Sequence, residues 1–72
     1  MANPFLICVN NEGYEVSLEK RKLYEKVRDR RAEVHGMVRI IDESGESYLY
    51  PEDCFLAIKL SAPVQRAVRS AA

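Results

Sequence analysis

Seventy-two residues fit one domain, and at that size a single core contributes only about 3–5 kcal/mol of net stability, so little apolar surface can be left outside it. Apolar residues at 47% and charged residues at 31% exclude intrinsic disorder. Eleven basic residues balance eleven acidic ones, which removes the bulk attraction that a nonspecific nucleic-acid binder needs.

The opening MANPFLICVN carries no basic flank and its apolar run stops at Asn10. That run is too short for a bilayer span or the core of a signal peptide, so the expected location is the cytoplasm. Phe5 to Val9 is apolar and partly β-branched, bounded by Pro4 and Asn10-Asn11, and predicts a first strand buried on both faces. Residues 10–21 lack sustained periodicity. Gly13 suits a reversal, so this segment is expected to be a long ordered loop anchored by Val16 and Leu18.

Residues 22–27, KLYEKV, alternate, with Leu23 and Val27 on the face expected to point inward and Tyr24 and Lys26 on the other. The competing reading is one amphipathic helix through residues 18–34, but it places mixed residues on the face a core helix needs apolar. A short helix is expected within residues 29–35, with Asp29 as its N-cap and Gly36 in the left-handed position after its last turn.

Met37 to Asp42 and Ser47 to Tyr50 flank Ser44-Gly45, which signals a hairpin with Gly45 at positive φ. Val38 and Ile40 share one face, and Tyr48 and Tyr50 share another that excludes Leu49. Pro51 cannot donate to a ladder, so PEDC is expected to form a 3₁₀ turn before a fifth strand with Leu56, Ile58 and Leu60 facing in. Residues 61–72 are short and small-residue-rich, and are expected to be a flexible tail or a frayed helix. The expected core is Ile7, Val9, Leu18, Leu23, Val27, Val38, Ile40, Leu49, Leu56 and Ile58.

Charge is unevenly placed. Residues 20–31 hold seven bases against Glu25 and Asp29, and residues 42–53 hold five acids and no base. Lys20, Lys22, Lys26, Arg28, Arg30 and Arg31, with Tyr24 available to stack, are the candidates for phosphate-backbone contact. The plainer reading pairs them with the chain's own acids. Asp42, Glu43 and Glu46 lack the spacing of a calcium loop and read as a solvated turn. His35 with Cys8 and Cys54 gives neither four closely spaced zinc ligands nor a clustered nucleophile, base and acid. No metal, cofactor or catalytic residue is therefore expected. Two free thiols are expected in a reducing compartment, with a redox-labile bridge as the alternative if their strands pair. Tyr14, Tyr48, Tyr50 and Pro51 offer apolar faces with polar handles of the kind used in protein recognition.

Five short strands, a long first loop, a tight hairpin between the third and fourth and a helical turn before the fifth resemble an SH3-like barrel. Residues 15–27 resemble that fold's diverging turn and second strand, and residues 50–58 its proline, 3₁₀ turn and closing strand. The chain has no tryptophan, the residue SH3 domains place just before their third strand to bind proline-rich peptides, and Cys54 stands near their groove tyrosine. The barrel is carried over and the proline-peptide function is not. The chain is also similar to small uncharacterised bacterial proteins that share an IDESGE-YLYP core. The sequence thus predicts a five-stranded SH3-like barrel over residues 1–60, all-β with a 3₁₀ turn and one short helix. The expected function is a non-catalytic bacterial module for a protein partner, and the alternative is a nucleic-acid-binding module.

Overall fold

A computed structural model describes residues 4–71, so residues 1–3 of the expected barrel and residue 72 of the expected tail lie outside the described residues. Strands β1 (Phe5–Cys8), β2 (Leu23–Val27), β3 (Met37–Ile41), β4 (Ser47–Pro51) and β5 (Phe55–Ile58) form one sheet in the order β4-β3-β2-β1-β5. All four neighbouring pairs are antiparallel. β4 and β5 are the two edges, joined through the 3₁₀ turn Glu52–Cys54 and not by a ladder, so the sheet is not closed.

The register decides which residues share the concave face. Leu6 stands opposite Tyr24 and Ala57, Cys8 opposite Phe55, Lys26 opposite Ile40, and Ile40 and Val38 opposite Tyr48 and Tyr50. Leu6, Cys8, Tyr24, Val38, Ile40, Tyr50, Cys54 and Phe55 join Leu18 in one buried cluster. Three rings set its geometry: Tyr24 and Tyr50 both meet Phe55 edge to face, with centroids 6.2 and 6.3 Å apart, an arrangement that aligns ring edges with ring faces.

Of the expected core, Leu18, Val38 and Ile40 are buried. The phase of β2, β4 and β5 is the reverse of expectation, and β1 is buried on both faces as expected, with Phe5, Leu6 and Cys8 covered most fully. Ile7, Leu23, Val27 and Ile58 are half-buried on the opposite face, and Val9, Leu49 and Leu56 are exposed, Leu56 at 60%. Leu60, also expected to face in, is half-buried. The cause in β2 is that the Tyr24 hydroxyl has partners inside, while Lys26 runs its stem along the concave face to bring its ammonium within 3.4 Å of Glu33. In β5 the 3₁₀ turn sets the phase, delivering Phe55 inward and turning Leu56 out.

The connections follow local chemistry. Helix α1 (Arg30–Val34) starts where Asp29 Oδ1 accepts the Ala32 N–H at 3.1 Å, and it ends at Gly36 with φ +72°. Asp29 Oδ2 also receives Arg39 Nε at 2.9 Å, which fixes α1 to β3. The β3–β4 hairpin turns at Gly45, φ +84°, with the Gly45 N–H donating to the Asp42 carbonyl at 2.9 Å.

The loop of residues 9–22 is built from turns that lay Leu18, 1% exposed, onto the concave face. Val16, expected to anchor beside it, is 95% exposed. Helix α2 (Ala62–Ser70) follows β5, capped by Ser61. Arg69 reaches from it to the Phe5 ring, 4.8 Å from the centroid, and to Glu25 at 3.3 Å, covering the convex face of β1 and β2. No helix among the described residues is long and apolar enough to cross a membrane.

Candidate functional site

The four residues singled out for protein contact cluster around β4 but differ in access. Tyr48 and Tyr50 share one face of the strand, as expected, yet Tyr48 is 49% exposed and Tyr50 only 4%. Tyr50 is a core residue: its hydroxyl donates to Asp42 Oδ2 at 2.6 Å, and its ring packs against Phe55. Tyr14 comes from the long loop and rests edge-on against Tyr50, with centroids 5.2 Å apart, while its outer side meets solvent. Pro51, half-buried, closes β4 and precedes the 3₁₀ turn. The accessible surface is thus Tyr14, Tyr48 and Pro51, built upon Tyr50. Val16 adds an exposed apolar group two residues beyond Tyr14. The sequence predicts Val16 as an anchor of the loop beside Leu18, but its side chain meets solvent.

Two tyrosine–carboxylate hydrogen bonds hold the loop and hairpin together behind this surface. Tyr24 donates to Glu43 Oε2 at 2.6 Å and accepts the Glu19 N–H at 2.8 Å, and the Glu43 N–H donates to the Ser17 carbonyl at 3.3 Å. The expectation of a plainly solvated acidic turn is corrected here, since Asp42 is buried and Glu43 is tied to the loop. Burial pulls the Asp42 carboxyl upward, but hydrogen bonds from Ser44 and Tyr50 outweigh it and leave its pKa below the ordinary value. The Lys22 ammonium and the Tyr24 hydroxyl, both bonded to Glu43, lower its pKa. Burial raises both Tyr24 and Tyr50, and their bonds to Glu43 and Asp42 raise them further.

The six candidate phosphate contacts do not form one surface of free charge. Lys22 is paired with Glu43 and Lys26 with Glu33. Lys20 is exposed on the long loop, and Arg28, Arg30 and Arg31 are exposed around α1, without an ion pair among the described residues. The stripe of charge in the sequence is divided by the fold.

Cys8 and Cys54 are both free and buried, and burial raises both thiols, which lowers the thiolate population a nucleophile needs. His35 sits at the end of α1 beside a recess lined by Asp29, Arg31, Ala32, Met37, Arg39 and Leu49, with no cysteine among them. Among the described residues, no three His, Cys, Asp or Glu side chains are grouped to hold a metal ion.

No protein-family model, curated protein or solved structure matches the chain.

Proposed function

We propose that the chain is a small non-catalytic binding module, an SH3-like barrel in architecture, that engages a protein partner through Tyr14, Tyr48 and Pro51. One observation carries the reading. Tyr48, the second residue of the short edge strand, is 49% exposed, while Tyr14 rests on the buried Tyr50 ring two residues further along that strand. Tyrosines fixed in this way offer apolar area at low ordering cost, which suits them as interface anchors. Val16 extends the surface along the loop. The barrel reading is supported by the strand order, the long first loop and the 3₁₀ turn after Pro51.

Nucleic-acid binding is the second reading, and what favours it is the exposed group Arg28, Arg30 and Arg31. It is the weaker of the two because Lys22 and Lys26 are already paired. Salt separates them: phosphate contacts weaken steeply with ionic strength, whereas an aromatic protein interface hardly responds.

The test is affinity capture from native host extract with the full chain, beside a Tyr14→Ala/Tyr48→Ala variant, at low and moderate salt. A protein retained at both salts by the parent and lost by the variant supports the proposal. A gel shift of mixed DNA and RNA at low salt, abolished by Arg28→Ala/Arg30→Ala/Arg31→Ala, would replace it with the nucleic-acid reading.

A further inference from the structure

The chain's two cysteines meet across a strand pair. In the β1–β5 ladder Cys8 stands opposite Phe55, and the Val9 N–H donates to the Cys54 carbonyl at 2.8 Å. That bond makes Cys8 and Phe55 a non-hydrogen-bonded pair of an antiparallel ladder, the closer kind, with Cα atoms about 4.5 Å apart. Cys54 is one residue before Phe55, which puts its Cα roughly 6 Å from that of Cys8. Disulfides span Cα separations of about 4.4–6.8 Å.

Separation alone would not suffice, because alternation along a strand turns neighbouring side chains to opposite faces. The 3₁₀ turn Glu52–Cys54 breaks that alternation. Cys54 and Phe55 therefore both enter the buried cluster that holds Cys8. Burial raises the Cys54 pKa and a charge on Cys8 raises it further, so the two sulfurs lie within electrostatic reach of each other.

We propose that Cys8 and Cys54 close a reversible disulfide between β1 and the turn that leads into β5, giving the domain a reduced and an oxidised folded state. The oxidant is a low-molecular-weight disulfide. Cys54, at 4% exposure the more accessible of the two, attacks one of its sulfurs as the thiolate and releases one thiol. The Cys8 thiolate then attacks the Cys54 sulfur of the mixed disulfide and releases the second. Two protein thiols become one disulfide as the reagent disulfide becomes two thiols. Exchange is slow, since burial keeps both thiols protonated. The bridge encloses residues 8–54, which carry β2, β3 and β4, and so removes freedom chiefly from the unfolded chain.

The experiment equilibrates the full chain in buffers of stepped ratio of oxidised to reduced glutathione, with exchange quenched in acid before mass spectrometry. The expected product is a monomer lighter by two hydrogen atoms. Its non-reducing tryptic digest should join residues 1–20 to residues 40–59, the peptides that carry Cys8 and Cys54. The oxidised chain should keep its near-ultraviolet circular dichroism and melt more than about 10 °C above the reduced one. The same buffers should leave the Tm of a Cys54→Ala variant unchanged, and the digest of the parent decides the matter even if that variant fails to fold. Glutathione adducts without the cross-link, disulfide-linked dimers, thiols that stay reduced at every ratio, or a cross-linked chain that has lost its fold would each overturn the proposal.

Discussion

The Tyr24 hydroxyl donates to the Glu43 carboxylate at 2.6 Å while accepting the Glu19 N–H at 2.8 Å, so a single oxygen ties β2, the long loop and the β3–β4 hairpin together. Tyr24→Phe keeps the ring on Phe55 but removes the acceptor of the Glu19 N–H and leaves Glu43 with Lys22 alone. The expected cost is about 1–2 kcal/mol, because unmade hydrogen bonds in a partly buried setting cost more than made ones contribute. Urea unfolding followed by circular dichroism measures it. Tyr48→Phe is the control: its hydroxyl stands 3.5 Å from Glu46 in solvent, and the change is expected to fall within about 0.5 kcal/mol of zero.

Stability should form a plateau bounded on both sides by the tyrosine–carboxylate bonds. Asp42 and Glu43 have folded-state pKa values below their ordinary ones. Their contribution is present above the unfolded values of roughly 4 and is lost as pH falls through the folded values. Tyr24 and Tyr50 are raised. Their contribution is present below the unfolded value of about 10 and is lost as pH rises through the folded values. Thermal melts across pH should therefore show a decline below about pH 4 and another above about pH 10. Tyr24→Phe should weaken the alkaline decline.

Leu18 and Leu56 are a matched pair for testing which surface is core. Leu18 is 1% exposed, so Leu18→Ala should cost about 2–5 kcal/mol. That is enough to unfold much of a domain this small. Leu56 is 60% exposed, and Leu56→Ala should cost less than about 0.5 kcal/mol. Equilibrium unfolding of the two variants gives the comparison directly. Similar losses would contradict the observed phase of β5.

Asp29 does two jobs, capping α1 through Oδ1 and receiving Arg39 through Oδ2. Asp29→Ala should lower the Tm by several degrees, and Asp29→Asn, which keeps a capping oxygen, should lower it less. Differential scanning calorimetry separates the two. Its pKa is lowered first by the Ala32 N–H and then by Arg39, so the loss in each variant relative to the parent should shrink in strong acid, where the parent's own Asp29 becomes protonated.

The sequence was most legible where one residue type has one local use. Gly45 after Ser44 marks the hairpin, Asp29 and Gly36 bracket α1, and Pro51 ends β4 before the 3₁₀ turn. The facing of strands was not legible where both faces are apolar. In Phe5–Cys8 every residue suits a core, so nothing in the run says that Leu6 and Cys8 take the concave face while Phe5 lies beneath Arg69. In β2 the alternation was visible, but the choice of face belonged to tertiary partners: Glu43 and Glu19 reward an inward tyrosine, and Glu33 rewards Lys26.

The candidate surface was legible in part for the same reason. Tyr48 and Tyr14 are aromatic side chains that the fold leaves accessible. Tyr50 is chemically their equal, but the carboxylate of Asp42, eight residues earlier, holds it in the core.

The central claim is that Tyr24 of β2 and Tyr50 of β4 are buried, leaving Tyr14 and Tyr48 to form the surface. A ring-proton NOESY spectrum of the full chain tests it most directly. The account predicts cross-peaks from Tyr24 to Phe55, from Tyr50 to Phe55 and from Tyr14 to Tyr50, the ring pairs whose centroids lie 6.2, 6.3 and 5.2 Å apart. Absence of the Tyr24–Phe55 and Tyr50–Phe55 cross-peaks, with sequential helical contacts running through residues 18–34, would contradict it.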